Sequence, residues 1–419
     1  MEHFEEFNDV AEHCTVCHKC LNPCPVNIDF GNVSMAMRSF LESHGRRKKN
    51  IKHWLSMLLL NATDPATIKV ARALLIQGGY RLQRFAYQAF KALRLSRGQI
   101  KSPPSSTARA SIPAQVIHFV NKPMPGKLPK KTARGLLDIE DPKIVPVIRD
   151  PQLKPEVEES VFYFPGCGSE RLFSQVGLAT QAMLLHAGVT TVLPPGYLCC
   201  GYPQRAAGLE EKGKKLITDN RVLLHRMANT LNYLDIKTVV VSCGTCLDQL
   251  EQYEFDKIFP GSRVIDIHEY LMEKGIRIEG LSGVQYLYHD PCHTPMKAYD
   301  PLSVVKEVTG ASVTLNERCC GESGTLAVTR PDVSTQVRFR KEEELQKGIN
   351  KVTSAGGERP TKILTSCPSC LQGLSRFKDD TDLDADYIVV EMAKHVLGPD
   401  WMSNYVSRVN RGHIERVLL

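Results

Sequence analysis

Beyond residue 160, short β-branched or aromatic runs alternate with longer amphipathic stretches. The longer stretches have helical spacing; in 172–187, for example, Leu172, Val176 and Met183 fall on one face. Short strands separated by helices are typical of parallel α/β units, so this part of the chain is predicted to be α/β. The predicted strands are 161–164, 238–241, 284–288, 362–365 and 387–390.

Upstream of residue 100, the hydrophobic pattern is helical. Asp64 and Pro65 provide a cap and a first-turn residue for a helix that runs towards Gly78. A second helix is predicted from apolar residues at helical spacing, namely Leu82, Phe85, Ala86, Ala89, Phe90 and Leu93. No apolar run approaches the roughly 20 residues that a membrane-spanning helix needs. We therefore expect a helical N-terminal region that does not cross a membrane.

Between these two parts, residues 101–160 contain ten of the 25 prolines. Proline lacks the N–H that helices and central strands require, so an extended connection without either element is predicted there. The pattern divides the chain into an N-terminal cysteine segment, a helical region, the connection, two α/β domains and a C-terminal tail. Their predicted bounds are 1–35, 36–100, 101–160, 161–278, 279–398 and 399–419.

The charge of the chain is uneven. Residues 1–150 contain 23 Lys and Arg against 12 Asp and Glu, whereas the whole chain has a net charge of +7. This basic surplus lacks the interleaved aromatic residues and the recognition fold of a nucleic-acid-binding protein, so no nucleic-acid partner is expected. The basic helix around Arg81 and Arg84 has two interpretations, packing on the rest of the protein or peripheral contact with the inner face of a membrane.

Fourteen cysteines in 419 residues change the picture. They are too sparse for a disulfide-stapled scaffold, and the sequence opens with acidic residues rather than a secretory signal, so a reducing, cytoplasmic setting is expected. Ten of them form an internal repeat in the order C…CCG…CxxC. The first copy contains Cys167, Cys199, Cys200, Cys243 and Cys246, and the second contains Cys292, Cys319, Cys320, Cys367 and Cys370.

In each copy, the first cysteine and the CxxC pair directly follow predicted strands. Residues beyond the carboxyl ends of parallel strands converge in the crevice where α/β sheets bind ligands, so the five thiols of each copy are expected to meet. Three interpretations compete. Structural disulfides are disfavoured by the reducing setting, a zinc ion needs only four of the five thiolates, and an iron-sulfur cluster can use all five.

The other four cysteines, Cys14, Cys17, Cys20 and Cys24, have the C-x2-C-x2-C-x3-C-P spacing of bacterial ferredoxins. This spacing favours a cubane 4Fe-4S cluster over a zinc knuckle, which would have a separated pair of ligands. In two-cluster ferredoxins, the fourth cysteine of such a run binds the other cluster. Because the sequence has one run, either the four thiols hold one cluster alone or a second run belongs to a longer or separate chain.

The doubled pattern, with FPGC at 164–167 and YHDPCH at 288–293, resembles the cysteine-rich CCG domain pair. That pair occurs in heterodisulfide reductase and in iron-sulfur subunits of glycolate oxidase, anaerobic glycerol-3-phosphate dehydrogenase and lactate oxidation complexes. The resemblance implies an α/β fold of two tandem Rossmann-like CCG domains preceded by an α-helical ferredoxin-type 4Fe-4S domain. It also implies up to two non-cubane 4Fe-4S clusters on the two sets of five cysteines, although some relatives hold zinc in one domain.

The segments HCTVCHKCLNPCPVNIDFG, LNATDPATIK and DADYIVVEMAKHVLG resemble the C-terminal part of long bacterial FAD-linked oxidases. The resemblance implies an electron-transfer module that works with a flavoprotein, either a separate subunit or an upstream fused domain. That flavoprotein, rather than this chain, is expected to hold FAD and to oxidise a 2-hydroxy acid such as D-lactate, glycolate or 2-hydroxyglutarate. The expected electron acceptor is a quinone or a similar molecule.

Two histidines flank Cys292. His289 and His293 could donate N–H groups to cluster sulfurs or relay protons, or they could simply pack at a strand end. No pairing of a nucleophile with a base is recognisable, so no catalytic residue is assigned and turnover is expected to need the flavoprotein. Two alternatives stay open, namely disulfide reduction at a five-sulfur cluster and a structural zinc scaffold.

Overall fold

The computed structural model describes residues 6–48, 51–93, 110–126, 128–152, 159–281, 283–322, 324–354 and 360–419. Asp64 caps a helix by accepting the N–H of Thr67 (2.7 Å), as its sequence predicts. The helix that begins after Asp64 and the helix predicted to follow it form one continuous run, because a π-helical segment at Arg72–Gly78 joins them. The helices before the first sheet are α1 (Phe7–His13), α2 (Phe30–Ser43), α3 (Ile51–Asn61), α4 (Pro65–Ala71), α5 (Gly79–Ala92), α6 (Ile112–Val120) and α7 (Ala133–Leu137).

Two sheets form the α/β part of the molecule. Their strands are β1 (Ile144–Ile148), β2 (Ser160–Phe164), β3 (Thr190–Val192), β4 (Ile236–Val241), β5 (Arg263–Asp266), β6 (Gln285–His289), β7 (Ser312–Leu315), β8 (Lys362–Thr365), β9 (Asp384–Tyr387) and β10 (Ile414–Leu418). Over the described ranges, one sheet has the order β10-β1-β3-β2-β4-β5 and the other β7-β6-β8-β9. All pairs are parallel except those of β1 with β3 and β10, which confirms a mixed α/β fold with parallel sheets.

The two sheets share one hydrophobic core around helix α8. Val176 and Met183 of this helix are fully buried and belong to the same core as Tyr288 and Val389 from the second half. The helices of this part are α8 (Ser174–His186), α9 (Tyr202–Ala206), α10 (Glu210–Thr230), α11 (Gly244–Leu250), α12 (Phe255–Ile258), α13 (Ile267–Glu273), α14 (Pro301–Thr309), α15 (Leu326–Thr329), α16 (Pro331–Ser354), α17 (Pro368–Ser375), α18 (Lys378–Thr381), α19 (Ile388–Val396) and α20 (Trp401–Asn410). Within the described ranges, none of the helices combines the length and the apolar character that a membrane span requires.

The prediction of an extended connection over 101–160 is wrong for its described part, which contains α6, α7 and β1. Pro113 is tolerated in the first turn of α6, where backbone N–H groups have no helical partner. The carbonyl oxygen of Pro146 in β1 accepts the N–H of Leu193, which lies just beyond the end of β3. The N–H that Pro146 lacks is therefore not needed for the hydrogen bonds between β1 and β3. The prediction for 101–109, 127 and 153–158 lies outside the described residues.

Two predictions near the C-terminus are also wrong. Of the strand predicted at 387–390, only Tyr387 lies in a strand, at the end of β9. The other residues begin helix α19, whose buried Val389 and Val390 pack in the core beside α8. Their β-branched side chains favour a strand locally, but tertiary packing decides for a helix. The tail predicted at 399–419 forms α20 and β10, and β10 pairs with β1 in the first sheet.

The two cysteine-rich halves pack through equivalent loops. A Cβ atom on Gly244, in the first CxxC pair, would lie 1.7 Å from the carbonyl oxygen of His293. In the reciprocal contact, a Cβ atom on Gly168 would lie 2.9 Å from Cβ of Pro368, in the second CxxC pair. The loop after the first cysteine of each half therefore packs on the CxxC loop of the other half.

Candidate metal centres

The first set of thiols gathers at the carboxyl ends of β2 and β4, which are parallel neighbours. Cys167 follows β2 and Cys243 follows β4, whereas Cys199 and Cys200 come from the loop after β3. Neighbouring sulfurs are in hydrogen-bond contact along the series Cys167, Cys199, Cys200, Cys246 and Cys243. The five thiols meet in space, as expected from their positions after the strands.

The second set has the same arrangement at β6 and β8, which are also parallel neighbours. Here the contacts follow the series Cys292, Cys319, Cys320, Cys370 and Cys367. The Sγ atoms of Cys320 and Cys370 are 3.4 Å apart. The internal repeat in the sequence is thus a repeat of the thiol geometry.

Hydrogen bonds between thiols prepare some of them to lose a proton. In each set, the bond from the first cysteine of the series lowers the pKa of the second, Cys199 or Cys319, well below its usual value. A bond from Cys246 similarly lowers the pKa of Cys243 to about 6. Thiolate is the form that binds metals, and soft sulfur donors select zinc or iron-sulfur clusters. The residues present therefore fit either group.

Glycine makes room for one of these sulfurs. Gly166 of the FPGC segment has a φ of +65°, and a Cβ atom there would lie 2.6 Å from the Sγ atom of Cys246. A larger residue would displace the sulfur from the first set, so the backbone of this turn is part of the site.

A cavity of about 760 Å³ joins the cysteine groups. Cysteines of both repeat copies and of the N-terminal run line it, and side chains of the helical region, including Met57, Leu60 and Ile76, form its apolar wall. Arg171 also lines it, and its Nη1 donates to the Leu60 carbonyl oxygen (2.8 Å). The helical region, for which the sequence indicates no function, thus covers the thiols.

The N-terminal cysteines lie on the loop between α1 and α2. Three successive turns carry this loop, and backbone N–H groups point at two of its sulfurs. Val16 donates to Cys14 Sγ and Ile28 donates to Cys24 Sγ, both at 3.3 Å. N–H donors of this kind stabilise the negative charge of a thiolate or of a cluster sulfur.

One cysteine of the N-terminal run reaches the second repeat set. Cys17 contacts Cys292 of the second set, and that hydrogen bond lowers the pKa of Cys17 to about 5. Among the residues that the structure describes, the one group of three ligand atoms all within 4.8 Å of one another is His289, Cys320 and Cys370. The cubane cluster expected on the run, and its fourth ligand, therefore stay predictions.

His289 is buried beside the second set. Burial and the charge of Lys341 hold the pKa of His289 well below its usual value, so the ring is neutral. Lys341 Nζ donates to Nδ1 of this ring (3.2 Å). A neutral ring that accepts at Nδ1 carries its hydrogen on Nε2, which has no hydrogen-bond partner in the described part of the chain. This N–H is available to a sulfur of the second set.

His293 is engaged differently. Its Nδ1 lies 2.5 Å from a carboxylate oxygen of Asp248, and its Nε2 donates to the Val16 carbonyl oxygen (2.9 Å). Burial lowers the pKa of His293, but these two bonds outweigh burial and raise that pKa overall. Of the roles left open for this histidine, donation to a cluster sulfur is therefore disfavoured, because both ring nitrogens are engaged.

Several residues of the sites were not predicted. The repeat offers a signal for two of them, Tyr202 and Asp248. Tyr202 directly follows CCG, as Glu322 does in the second copy, and Asp248 stands two residues after CxxC, as Gln372 does. Lys341 has no such signal, since the charged sequence of α16 is typical of an exposed helix although this lysine is buried.

The family model of the cysteine-rich domain, CCG, matches residues 161–251 and 286–375. The chain contains two CCG domains. The resemblance stated from the cysteine motifs is thereby confirmed. A domain of unknown function, DUF3400, matches residues 375–419, which include α20 and β10 behind the second CCG domain.

Relatives of this CCG chain include named iron-sulfur proteins. An uncharacterised iron-sulfur protein of Methanocaldococcus jannaschii is 26% identical over 55% of this chain and 45% of its own length. Lactate utilization protein A of Exiguobacterium sp. is 25% identical over 51% of this chain and 88% of its own. A probable glycolate oxidase iron-sulfur subunit of Bacillus subtilis is 22% identical over 55% of this chain and 53% of its own length. The match covers less than half the length of the archaeal relative.

Proposed function

We propose that this chain is the iron-sulfur electron-transfer module of a flavin-dependent oxidoreductase. The observation that carries the proposal is the gathering of two equivalent sets of five thiols at one cavity, next to a ferredoxin-type cysteine run. Buried sulfur donors in such number suit a redox centre better than a single structural ion. The names of the lactate utilization and glycolate oxidase relatives support the same role.

The run at residues 14–24 would hold a cubane 4Fe-4S cluster, and the two CCG domains, assigned as 161–278 and 279–398, would each hold a non-cubane cluster. Zinc in the second domain is the competing assignment, since His289, Cys320 and Cys370 are close enough to share one ion. Iron-sulfur clusters accept single electrons with little rearrangement, at potentials set by charge, hydrogen bonds and burial. In this chain, the buried His289 and Lys341 would supply a hydrogen bond and a charge to the second site.

The partner in this proposal is a flavoprotein that holds FAD and oxidises D-lactate, glycolate or 2-hydroxyglutarate. It would be a separate subunit or a fused domain, and it would pass electrons one at a time to the cysteine sites. A quinone or a similar acceptor would then receive them, with the chain in the cytoplasm or peripheral on the inner face of the membrane. The basic surplus and the exposed apolar side chains Trp54, Leu82 and Phe85 support the peripheral location.

Metal and sulfide analysis tests the proposal on anaerobically purified full-length protein. We expect about 12 irons and a matching amount of acid-labile sulfide, because each of the three sites takes a 4Fe-4S cluster. The double variant Cys243→Ser and Cys246→Ser should lose the metal of the first CCG domain. The double variant Cys367→Ser and Cys370→Ser should lose the metal of the second. Zinc without sulfide would contradict the redox function.

A second candidate function, disulfide reduction at a CCG site, is favoured by the cavity itself. Its volume of about 760 Å³ falls in the range of small-molecule sites, and thiols of both sets line it. The reaction would consume two electrons and two protons to convert one disulfide into two thiols, with the electrons supplied by the partner flavoprotein.

Mixing experiments separate the two functions. If the chain is a transfer module, the partner flavoprotein and its 2-hydroxy acid should bleach the iron-sulfur absorption, and an added quinone should restore it. If the CCG site is catalytic, a reduced viologen dye should drive the reduction of small disulfides without any flavoprotein. The Cys243→Ser and Cys246→Ser variant is the control for both assays.

A further inference from the structure

All three groups of cysteines meet around His293. This residue follows Cys292 in the second CCG domain, and its ring binds Asp248 of the first CCG domain and Val16 of the N-terminal loop. Its backbone fills the space that a side chain on Gly244 would need. His293 therefore touches each part of the chain that carries cysteines.

The hydrogen bond from His293 holds the backbone of Val16 in an unusual conformation. Val16 has a φ of +53° and is only 4% exposed, and β-branched residues rarely adopt this left-handed conformation. Such a conformation persists when the surroundings impose it. The Val16 carbonyl oxygen accepts hydrogen bonds from His293 Nε2 (2.9 Å) and from the Tyr202 hydroxyl (3.3 Å). These two donors stabilise a conformation that the loop disfavours by itself.

Other residues anchor the elements on either side of this segment. Arg38 joins α2 to the carbonyl oxygens of Cys14 (2.7 Å) and Ala206 (2.6 Å). Arg330 of the second CCG domain pairs with Asp9 of α1 (2.9 Å). These bonds hold the ends of the loop, and the histidine and the tyrosine then determine how the strained segment between them is placed.

The residues next to this contact are both cysteines. Cys17 follows Val16, Cys292 precedes His293, and both cysteines line the same cavity with their sulfurs near each other. We propose that His293, together with the tyrosine, is a positioning residue that keeps Cys17 beside Cys292. The N-terminal site is thereby coupled to the second CCG site rather than to the first. This inference rests on the proposed function, because it names the site at which electrons enter the CCG pair.

A thiol cross-link tests the positioning without any metal. In the metal-free full chain, diamide should join Cys17 to Cys292, each thiol losing one hydrogen and the diamide taking up both. His293→Leu and Tyr202→Phe should lower the yield of this disulfide severalfold, measured as the linked peptide by mass spectrometry. His293→Gln should stay near the wild-type yield, because its amide can still donate to the loop. His186→Gln, at an exposed end of α8, is the matched control.

The chain loaded with iron and sulfide provides a spectroscopic test. A reduced second site close to the N-terminal site speeds the electron-spin relaxation of the N-terminal signal. In His293→Leu and Tyr202→Phe, this signal should saturate at severalfold lower microwave power, while iron and sulfide stay at the wild-type level. Removing the first site with Cys243→Ser and Cys246→Ser should leave the saturation unchanged, since that site is not the partner.

Each outcome decides a separate question. Unchanged cross-linking and saturation in both His293→Leu and Tyr202→Phe would overturn the positioning role, as would a loss of coupling on removal of the first site. If the wild-type chain contains neither iron nor sulfide, the proposed function fails, and the cross-link yields still decide the role of His293.

Discussion

His289 and Lys341 make the two CCG sites chemically unequal. Three residues before the first cysteine, the second copy has His289 where the first copy has Phe164. Lys341 also donates to the carbonyl oxygens of Asn316 (3.0 Å) and Glu317 (2.6 Å), so its ammonium group is fixed against the imidazole. A buried cation and a free N–H both stabilise added negative charge. The second site should therefore be easier to reduce than the first.

Replacing His289 by Leu tests this difference. Loss of a hydrogen bond to a charged acceptor, worth about 1.5 kcal/mol, should lower the one-electron reduction potential of the second site by about 60 mV. Redox titration of the full chain, followed by EPR, measures the shift. Lys341→Met should shift the potential in the same direction, and His289→Gln should shift it less because it keeps a donor. Phe164→Leu is the control, and equal potentials in His289→Leu and wild type would refute the assignment.

At the scale of elements, much of the α/β framework could be predicted because strands and helices have distinct hydrophobic periods. Four of the five predicted strands correspond to β2, β4, β6 and β8. The thiol sets were predictable too, since parallel strand ends converge. Residues 144–148 could not be recognised as a strand because the prolines around them predict an extended connection, and 414–418 could not because its partner β1 was missed. The helix at Ile388–Val396 was missed because packing on α8 overrides the strand preference of its valines.

The surroundings of the thiols were less predictable than the thiols themselves. Motif spacing identifies ligands, but Tyr202, Asp248 and Lys341 act through contacts between segments that are distant in the sequence. The role of the helical region was hidden for the same reason, because its apolar side chains line the cavity together with cysteines that are distant in the sequence.

At the scale of the whole molecule, the two CCG domains depend on a close approach between their loops. The contact between Gly244 and the His293 carbonyl leaves no room for a methyl group, since a Cβ atom would be 1.7 Å from oxygen. Backbone lies on both sides of this contact, so no flexible side chain can yield. The relative placement of the two domains is thus fixed at the point where both sets of thiols face each other.

Gly244→Ala should therefore separate the domains. Overpacking of a rigid contact should decrease the free energy of unfolding by about 3 kcal/mol, which chemical denaturation of the full chain measures. Gly79→Ala is the matched control, because Gly79 is helical and its Cβ atom would be 3.6 Å from its nearest neighbour, an ordinary contact. If both variants unfold at the same denaturant concentration, the loops are not packed as described.

The pairing of β10 with β1 has a consequence for synthesis. Ile144 pairs with Leu418, so strand β1 emerges from the ribosome long before the strand that covers its edge. Both sets of thiols and the second sheet are translated in between. Contacts of such long range form late in folding, so the first sheet is completed only after the cysteines of both CCG domains have been made. The thiols of both domains are therefore synthesised while the first sheet is still open at the edge of β1.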